Sequence, residues 1–280
     1  MPKKNKNKLV KPFVKWAGGK RQILSEIKKY IPENFSTYYE PFLGGGAVLF
    51  DLQPNRAVIN DVNIHLYNVY NVIKNNVDEL IEDLKRHRNE EEYYYAMREK
   101  DRNGEIEKMS DVEKASRILY LNKTCFNGLF RVNSAGEFNV PFGRYKKPAI
   151  VNAPVLKAVS HYLNSNNIRI LNVDFEEAIK GMRRQAFVYF DPPYYPLSDT
   201  SSFTGYTLDG FDKDDQRRLK RLCDNLDNRG CRFLLSNSSA DFIKELYDGY
   251  NIEYIGANRS INSNGDDRGE VTEVLIRNYD

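Results

Sequence analysis

The chain has 280 residues, of which 41% are hydrophobic and 29% charged, and its formal net charge is +3. No stretch approaches the roughly 20 consecutive apolar residues of a transmembrane helix, and the lysine-rich start at residues 1–11 lacks the apolar core of a signal peptide. Three cysteines without metal-ligand spacing and three scattered histidines argue against a disulfide framework and a metal site. These features predict a reduced, cytoplasmic, globular protein that holds no metal.

The small net charge conceals two strongly basic segments. Residues 1–29 contain ten lysines and arginines against one glutamate, and residues 114–151 contain seven against one glutamate. Clustered positive charge is typical of proteins that bind a polyanion such as nucleic acid. Two solvated, lysine-rich faces would explain the same counts. The basic segments therefore indicate nucleic-acid binding only if motifs elsewhere in the chain support it.

Hydrophobic patterning predicts strands and helices in alternation. A short strand at 38–42 leads into a glycine-rich turn, a second strand covers 57–60, and residues 64–123 carry apolar side chains at helical spacing almost throughout. Residues 124–148 instead place glycines and prolines between aromatic side chains, which is typical of loops and hairpins. A helix is predicted at 214–226. Further strands are predicted at 168–173, 186–190, 231–236, 251–255 and 271–278.

This order of elements predicts an α/β sheet domain with a large insert. The sheet domain is formed by residues 1–63 and 152–280, and the insert of helices and a hairpin covers residues 64–151. The second basic segment falls at the end of the insert, whereas the first precedes the sheet.

The glycine-rich turn is the first candidate ligand site. Residues 40–46 read Glu-Pro-Phe-Leu-Gly-Gly-Gly, after a strand and before an apolar helix. Glycine permits positive φ and lets a ligand lie against bare backbone. Asp61 ends the next strand, near the spacing of about 20 residues at which α/β nucleotide sites place an acidic group for ribose hydroxyls. No phosphate-loop lysine follows the glycines, so NAD, FAD or S-adenosylmethionine fits better than a nucleoside triphosphate.

The second candidate site is the sequence Asp191-Pro192-Pro193-Tyr194, which follows the predicted strand at 186–190. Two prolines cannot continue a sheet ladder, so the chain leaves the sheet at its carboxyl edge, where open α/β sheets bind ligands. The Asp191 carboxylate and the Pro192 carbonyl can both accept hydrogen bonds from an exocyclic amino group, and Tyr194 can stack on the attached ring. This arrangement directs the amino lone pair at an electrophile.

Taken together, these motifs resemble the Dam-type family of DNA adenine-N6 methyltransferases. The resemblance rests on Phe-Val-Lys-Trp-Ala-Gly-Gly-Lys at 13–20, the turn at 40–46, the insert and the box at 191–194, in that order. It covers nearly the whole chain. Segments 126–131 and 137–145 are similar to the recognition hairpin of enzymes that methylate GATC. The resemblance implies a Rossmann-like, S-adenosylmethionine-dependent methyltransferase sheet with a DNA-recognition insert.

The resemblance also implies roles for particular residues, named by their numbers in this sequence. The target adenine would be held by Asp191, Pro192, Pro193 and Tyr194. S-adenosylmethionine would be bound by Trp16, Lys20, Glu40, Phe42, Gly44, Gly46, Asp61, Asp174, Phe175 and Asp191. DNA would be contacted by Lys15, Phe126, Asn127, Leu129, Arg131, Pro141, Arg144 and Tyr145.

Within the DNA set, Lys15 and Arg131 match positions that read guanines, and Leu129 and Pro141 match contacts to the middle of the site. Phe126 and Asn127 match residues that wedge into the base stack. Arg144 and Tyr145 match contacts to the backbone and a base. Arg259 and Arg268 are further candidates for phosphate contacts. The family commonly has tyrosine in place of Phe126, so a contact that needs a hydroxyl is not expected there.

Simpler roles remain open for several of these residues. Asp61 and Asp174 could cap the helices that follow them, Trp16 could be a core aromatic, and Lys15 and Arg131 could bind phosphate without reading a base. An amino methyltransferase acting on RNA, cytosine N4 or a protein amide would share the chemistry of the box. A dinucleotide-dependent oxidoreductase lacks support because Gly-x-Gly-x-x-Gly is absent, and an intact box argues against a catalytically silent DNA-binding module.

The predicted function is transfer of a methyl group from S-adenosylmethionine to adenine N6, in GATC, with base flipping and with S-adenosylhomocysteine as product. The predicted partner is double-stranded DNA. We expect a monomer without an obligate protein partner, in the cytoplasm and associated with the nucleoid through DNA. The sequence leaves open whether the enzyme belongs to a restriction–modification pair, acts alone or serves a phage.

Overall fold

The computed structural model describes residues 6–197, 210–258 and 270–280. Arg259 and Arg268, the two further candidates for phosphate contacts, lie outside the described residues.

The described residues form a seven-stranded sheet in the order β3-β2-β1-β4-β5-β7-β6. The strands β3, β2, β1, β4 and β5 are parallel to one another, and β7 pairs antiparallel with both β5 and β6. Each predicted strand is present with its ends shifted by at most a few residues, so the predicted α/β sheet is confirmed. The strands are β1 (Tyr38–Glu40), β2 (Arg56–Asn60), β3 (Asn167–Leu171), β4 (Phe187–Phe190), β5 (Arg232–Ser238), β6 (Asn251–Asn258) and β7 (Glu270–Arg277).

Ten α-helices accompany the sheet in the described ranges. The predicted helical region at 64–123 is divided into four α-helices and a 3₁₀ turn, and the predicted helix at 214–226 is present. The helices are α1 (Leu24–Lys29), α2 (Ala47–Leu52), α3 (Ile64–Asn75), α4 (Val77–Leu84), α5 (Glu91–Glu99), α6 (Asp111–Thr124), α7 (Ala153–Ser165), α8 (Phe175–Ala178), α9 (Lys213–Asn228) and α10 (Asp241–Leu246).

Side chains of the central strands alternate between two hydrophobic cores. On β4, Phe187 and Tyr189 face the core that contains α1, α2, α3 and α7, whereas Val188 and Phe190 face the core that contains α8, α9 and α10. All four β4 side chains are buried. Burial on both faces explains why this strand reads as an unbroken apolar run rather than an alternating pattern.

The insert shares the first of these cores. Buried side chains of α4, α5 and α6 belong to the same cluster as α3 and α7. A capping box between Ser110 and Glu113 starts α6, because each residue satisfies an unpaired amide of the first helical turn. Since α3 contacts both the sheet layer and α6, the boundary between sheet domain and insert at residue 64 stays a prediction.

None of the helices in the described part of the chain has the length and apolarity that crossing a lipid bilayer requires.

Candidate active site

The candidate site residues gather at the carboxyl edge of the sheet. Glu40 ends β1, Asp61 directly follows β2, and Asp191 directly follows β4. Because β1, β2 and β4 are parallel and adjacent, their last residues meet at one edge. A ligand at this edge is therefore surrounded by carboxylates from three strands, as expected for an open α/β sheet.

Lys20 forms an ion pair with Asp191 in this site. Its ammonium nitrogen lies 2.8 Å from Asp191 Oδ1 and donates to the carbonyl of Gly18 at 2.6 Å. The same nitrogen lies 4.5 Å from the centre of the Tyr194 ring. The predicted cofactor residue Lys20 is thus brought into direct contact with the Asp-Pro-Pro-Tyr box, across about 170 residues of sequence.

The electrostatics of Asp191 follow from its surroundings. Burial raises the pKa of the Asp191 carboxyl to about 6, with a further upward contribution from the negative charge of Glu273, while the Lys20 ammonium acts in the opposite direction. The carboxylate form, which accepts hydrogen bonds, therefore predominates above about pH 6.

The loop that contains the box is anchored by α9 and by the end of β5. Gln216 of α9 donates its side-chain amide to the Pro193 carbonyl at 3.0 Å. Asn237 of β5 donates to Gln216 Oε1 at 3.1 Å and accepts from the Tyr195 amide at 3.1 Å. Both amide side chains are fully buried. These bonds fix the loop backbone, which two prolines have removed from the sheet ladder.

The Tyr194 ring has a second anchor at its hydroxyl. That hydroxyl donates to Glu273 Oε2 of β7 at 2.7 Å. The neighbouring Tyr189 hydroxyl shares a hydrogen bond with Ser236 Oγ at 2.6 Å. The sequence did not single out Glu273, Gln216 or Asn237, because each acts through a contact that no local motif encodes.

The glycine-rich turn lies beneath Trp16. Gly44 and Gly46 adopt left-handed φ of 50° and 68°. A Cβ built at Gly44 would lie 3.1 Å from Trp16 Cδ1, and one built at Gly46 would lie 2.7 Å from the Tyr70 hydroxyl. Conformation and space both require glycine at these two positions.

Asp61 fixes the same turn from the next strand. Its Oδ2 accepts from the Gly44 amide at 2.8 Å, and its Oδ1 accepts from the Asn63 amide at 2.9 Å. Burial raises the pKa of Asp61 to about 6, and these two hydrogen bonds act against that rise. Each oxygen of a carboxylate can accept more than one hydrogen bond, so these contacts are compatible with the predicted binding of ribose hydroxyls.

Glu40 is almost fully buried at the end of β1. Its Oε2 accepts from the Tyr38 hydroxyl at 2.8 Å. Burial, reinforced by the nearby charge of Asp191, raises the pKa of Glu40 well above its usual range. The side chain is thus held rigidly behind the glycine-rich turn.

An aromatic cluster lies on the other side of the turn. The Phe42 ring lies 5.4 Å from that of Phe175 and 5.7 Å from that of Phe211. Asp174 caps α8 by accepting from the Glu176 amide at 2.9 Å. Arg218 donates to the same Asp174 oxygen at 3.0 Å. The helix-capping role considered for Asp174 is therefore present, together with an ion pair that the sequence did not indicate.

The predicted hairpin is present, and it carries most of the predicted DNA contacts. A bridge between Val132 and Phe138 closes it, and Asp101 after α5 accepts from the Phe138 amide at 2.9 Å. Arg131 donates Nε to Asn139 Oδ1 at 2.7 Å. The exposed candidates are Lys15, Phe126, Asn127, Arg131, Pro141 and Arg144, while Leu129 and Tyr145 are half-buried.

The wedge candidates project from a tight turn. Phe126 is 52% exposed, which is unusual for a large aromatic side chain. Asn127 and Gly128 are both left-handed, with φ of 56° and 66°. Asparagine tolerates this conformation better than most residues, so the turn presents Phe126 and Asn127 outward.

Cys125 lies directly before this turn, and its thiol is buried. Burial raises the pKa of that thiol to about 12. The thiolate that a covalent cytosine-C5 methylation mechanism needs is therefore disfavoured at Cys125.

The fold brings the two basic segments together. Asn122 accepts from the Lys15 amide at 3.0 Å and donates to the carbonyls of Lys15 and Gly128 at 2.8 and 2.9 Å. Burial lowers the pKa of the adjacent Lys123 to about 8, and the charges of Lys15 and Arg21 lower it further. Mutual repulsion among these cations marks a place where an anion would be stabilised. The sequence did not single out Lys123 or Arg21.

Comparison with known proteins agrees with this geometry. A family model described as D12 class N6 adenine-specific DNA methyltransferase matches residues 16–261. The chain is 49% identical over 277 residues to the type II methyltransferase M1.LlaDCHI of Lactococcus lactis subsp. cremoris, covering 98% of both chains. It is 47% identical to the type II methyltransferase M.MjaIII of Methanocaldococcus jannaschii, covering 96% of this chain and 99% of the relative. It is 36% identical to a DNA adenine methylase of Haemophilus influenzae, covering 95% and 92%.

The fold, the site and these matches define the protein as a DNA methyltransferase. More particularly, the chain belongs to the D12 class of N6 adenine-specific DNA methyltransferases. The resemblance to Dam-type enzymes noted in the sequence is thereby confirmed.

Proposed function

We propose that this protein transfers a methyl group from S-adenosylmethionine to adenine N6 within GATC of double-stranded DNA, after rotating the target nucleotide out of the duplex. The main support for this proposal is the position of the Lys20 ammonium, which forms an ion pair with Asp191 Oδ1 and lies over the Tyr194 ring. In this position an N–H donor contacts a carboxylate and an aromatic face at the same time, which supports the proposal. The amino group of a flipped adenine makes the same two kinds of contact.

Asp191 and Tyr194 would hold the target base in complementary ways. The Asp191 carboxylate would accept a hydrogen bond from one N6–H and the Pro192 carbonyl would accept a hydrogen bond from the other, so that the nitrogen lone pair leaves conjugation with the ring and points at the electrophile. One N6 proton is released once the methyl group has been transferred. Tyr194 stacks on the base, which is worth about 1–3 kcal/mol and offsets part of the few kcal/mol that flipping costs. Catalysis then depends mainly on positioning and electrostatics.

The residues at the carboxyl edge fit S-adenosylmethionine as the methyl donor. Gly44 and Gly45 are partly exposed at this edge and carry no side chain, so a ligand can lie against their backbone. The carboxyl groups of Asp61 and Asp191 suit a ligand with ribose hydroxyls and a positive sulfonium, and Glu40 supports the turn from behind. When bound, S-adenosylmethionine supplies the electrophilic methyl group. Phe42 and Phe175 offer apolar ring surface for its base, with Asp174 beside them.

The hairpin supports the proposed reading of GATC. Lys15 and Arg131 would donate to guanines, and Leu129 and Pro141 would contact the central bases. Asn139 holds the Arg131 guanidinium on the exposed side of the hairpin, which limits its freedom before it meets a base. A bidentate arginine–guanine contact is the commonest direct readout in the major groove.

The remaining DNA candidates would stabilise the distorted duplex. Phe126 and Asn127 would fill the gap left by the flipped base. Arg144 and Tyr145 would contact the backbone and a base. Lys123, whose ammonium is affected by the charges of both Lys15 and Arg21, is a further candidate for a phosphate contact, as is Arg21.

We also propose that the enzyme acts as a monomer in the cytoplasm. The names of its type II relatives favour a role in a restriction–modification system over an isolated housekeeping role. This proposal concerns the biological setting only, and the chemistry at Asp191 is the same in either case.

One substrate comparison tests the proposed reaction. The enzyme is incubated with labelled S-adenosylmethionine and with two duplexes that differ only by a substitution within GATC, and the product is digested with nucleases that respond to adenine methylation. We expect label only in the GATC duplex. Equal labelling of both duplexes would contradict GATC specificity, and label in cytosine would contradict N6 transfer.

Base flipping is tested separately with 2-aminopurine in place of the target adenine. The emission of this base rises when it leaves the stack, so we expect an increase on binding to the GATC duplex. A 2-aminopurine placed two positions away serves as the control. No change at the target position would contradict flipping.

A further inference from the structure

We infer that Glu273 is a positioning residue for Tyr194, because its carboxylate fixes the far end of the ring on which the target base stacks. The bond concerned joins the Tyr194 hydroxyl to Glu273 Oε2 over 2.7 Å. This inference rests on the proposed role of Tyr194 in holding the flipped adenine.

The topology of the sheet explains how a residue so distant in sequence reaches the site. Because β7 is antiparallel to β5, Glu273 near the start of β7 pairs with Ser238 at the end of β5. Its carboxylate therefore lies at the same edge as the carboxyl ends of β4 and β5. Leu275 contributes to the core that also contains Tyr189, and side chains two residues apart share a face, so Glu273 projects on that side of the sheet.

The contacts of the loop backbone do not by themselves orient the Tyr194 ring. Gln216 anchors the Pro193 carbonyl and Asn237 anchors the Tyr195 amide, one residue to either side of Tyr194. The Tyr194 side chain can still rotate about its two side-chain bonds when the backbone on either side is fixed. The bond to Glu273 fixes the direction of the ring's long axis, and because a phenol O–H prefers to lie in the ring plane, it also favours one rotation of the ring about that axis. Backbone and hydroxyl together give the ring two fixed points.

Among the described residues, the carboxylate of Glu273 accepts a hydrogen bond from Tyr194 but has no ion pair. Across the described residues, no lysine, arginine or histidine lies within ion-pairing distance of Glu273, whereas Asp191 has Lys20 and Glu253 on the adjacent strand has Arg277. A carboxylate placed near Asp191 without a cation of its own opposes stability. A charged acceptor does, however, form a shorter and stronger hydrogen bond than a neutral one, and that is what ring positioning needs.

Tyr194 remains a donor for this bond over the whole useful pH range. Burial raises the pKa of its hydroxyl well above 10, and the charges of Asp191 and Glu273 add to the rise. The Tyr194 hydroxyl therefore stays protonated and able to donate this bond.

Four variants test the inference, with kcat and KM for the GATC duplex measured at saturating S-adenosylmethionine. Glu273→Ala should lower kcat about 10- to 100-fold, the order expected for a misplaced reactant, with little change in KM. Glu273→Gln should stay within about threefold of the parent, because its amide oxygen accepts the same bond. Tyr194→Phe should match Glu273→Ala. Glu253→Ala is the matched control on the neighbouring strand and should leave kcat unchanged.

The combination Glu273→Ala with Tyr194→Phe separates positioning from a general structural effect. If Glu273 acts through the hydroxyl, the double variant loses no more than either single variant. Target-site 2-aminopurine emission should also be higher in Glu273→Ala than in the parent, since the flipped base is less well stacked. Additive losses, or an unchanged emission together with a normal kcat, would overturn the inference.

Failure of the inference and failure of the proposed function give different results. If Tyr194→Ala retains normal turnover, the proposed role of the box is wrong. If Tyr194→Ala is inactive while Glu273→Ala and Tyr194→Phe both match the parent, the box functions as proposed and only the role of Glu273 is wrong.

Discussion

Asn122, near the end of α6, joins the amino-terminal segment to the turn at 126–128 through both polar atoms of its side chain. It accepts from the Lys15 amide and donates to the Lys15 and Gly128 carbonyls, over 2.8 to 3.0 Å. Gly128 is also in close contact with Lys15, since a Cβ built there would lie 2.4 Å from Lys15 Cδ. The Lys15 backbone therefore moves with the hairpin, and two basic segments act as one surface.

Replacing Asn122 should damage both stability and DNA binding. Asn122→Ala removes three hydrogen bonds at a buried position, and we expect the free energy of unfolding to fall by about 2–4 kcal/mol. DNA affinity should fall as well, because Lys15 is no longer held beside the hairpin. Urea unfolding and fluorescence anisotropy with a GATC duplex measure the two effects. A loss of stability with unchanged affinity for DNA would show that the link does not orient Lys15.

Asp191→Ala should abolish methyl transfer and leave DNA binding largely intact. The variant lacks the carboxylate that accepts from the target amino group, but no predicted DNA-contact residue changes. Transfer from labelled S-adenosylmethionine and anisotropy with the same duplex provide the two measurements. Asp241→Ala, at an exposed carboxylate at the start of α10, is the control. Near-normal turnover of Asp191→Ala would contradict the proposed mechanism.

The pH dependence of turnover should report the Asp191 carboxyl. Its pKa of about 6 in the free enzyme means that it becomes protonated as the pH falls through 6, after which it no longer accepts from N6. We expect kcat/KM to decline on the acid side with that midpoint.

Two variants should move this midpoint in opposite directions. Glu273→Gln removes a negative neighbour that raises the Asp191 pKa, so the midpoint should shift to lower pH. Lys20→Met removes a positive neighbour that lowers this pKa, so the midpoint should shift to higher pH. Shifts in the same direction for both variants would mean that a different group controls the acid limb.

Arg131→Ala should relax recognition at one guanine. A bidentate contact is worth about 1–3 kcal/mol of discrimination, so binding should fall on the GATC duplex but little on a duplex with that guanine replaced. Lys123→Ala is the informative comparison, because a phosphate contact should weaken binding to both duplexes and reduce the slope of log K against log salt by about 1. If Arg131→Ala weakened binding to both duplexes equally, Arg131 would be a phosphate contact and not a guanine contact.

His87 should make the insert sensitive to acid. Its buried ring contacts the Tyr93 and Ser116 hydroxyls, each at 2.9 Å, and burial lowers its pKa to about 4. Histidine in the unfolded chain has a pKa of about 6.5. Between pH 6.5 and pH 4, the unfolded state therefore binds more protons than the folded state. Stability should therefore fall with falling pH in this window, by up to about 3 kcal/mol.

Replacing the histidine should remove this dependence. His87→Asn cannot titrate, so its stability should change less between pH 7 and pH 4 than that of the parent, whatever its stability at pH 7. His161→Asn, at an exposed position on α7, should keep the parent's dependence. The same acid loss in all three proteins would assign it to other groups.

The strands and the two candidate ligand sites could be predicted from the sequence because they depend on short local patterns of residues. Buried parallel strands read as short apolar runs, and the glycine turn and the Asp-Pro-Pro-Tyr box mark points where the chain must leave the sheet. The helix α7 was not predicted, although Leu156, Val159 and Leu163 recur at helical spacing, because a proline at its first turn is equally typical of a loop. The division of 64–123 into separate helices also depends on how these segments pack.

The sequence by itself determined the order of the strands along the chain and the reaction class, since these depend on short local motifs and on the order in which the motifs occur. Only the tertiary structure decided which distant groups meet. Lys20 reaches Asp191 because the segment before β1 crosses the carboxyl edge, and Glu273 reaches Tyr194 because β7 runs antiparallel beside β5. Lys15 joins the hairpin through Asn122. These contacts depend on the spatial order of strands and on side-chain packing, which no local periodicity encodes.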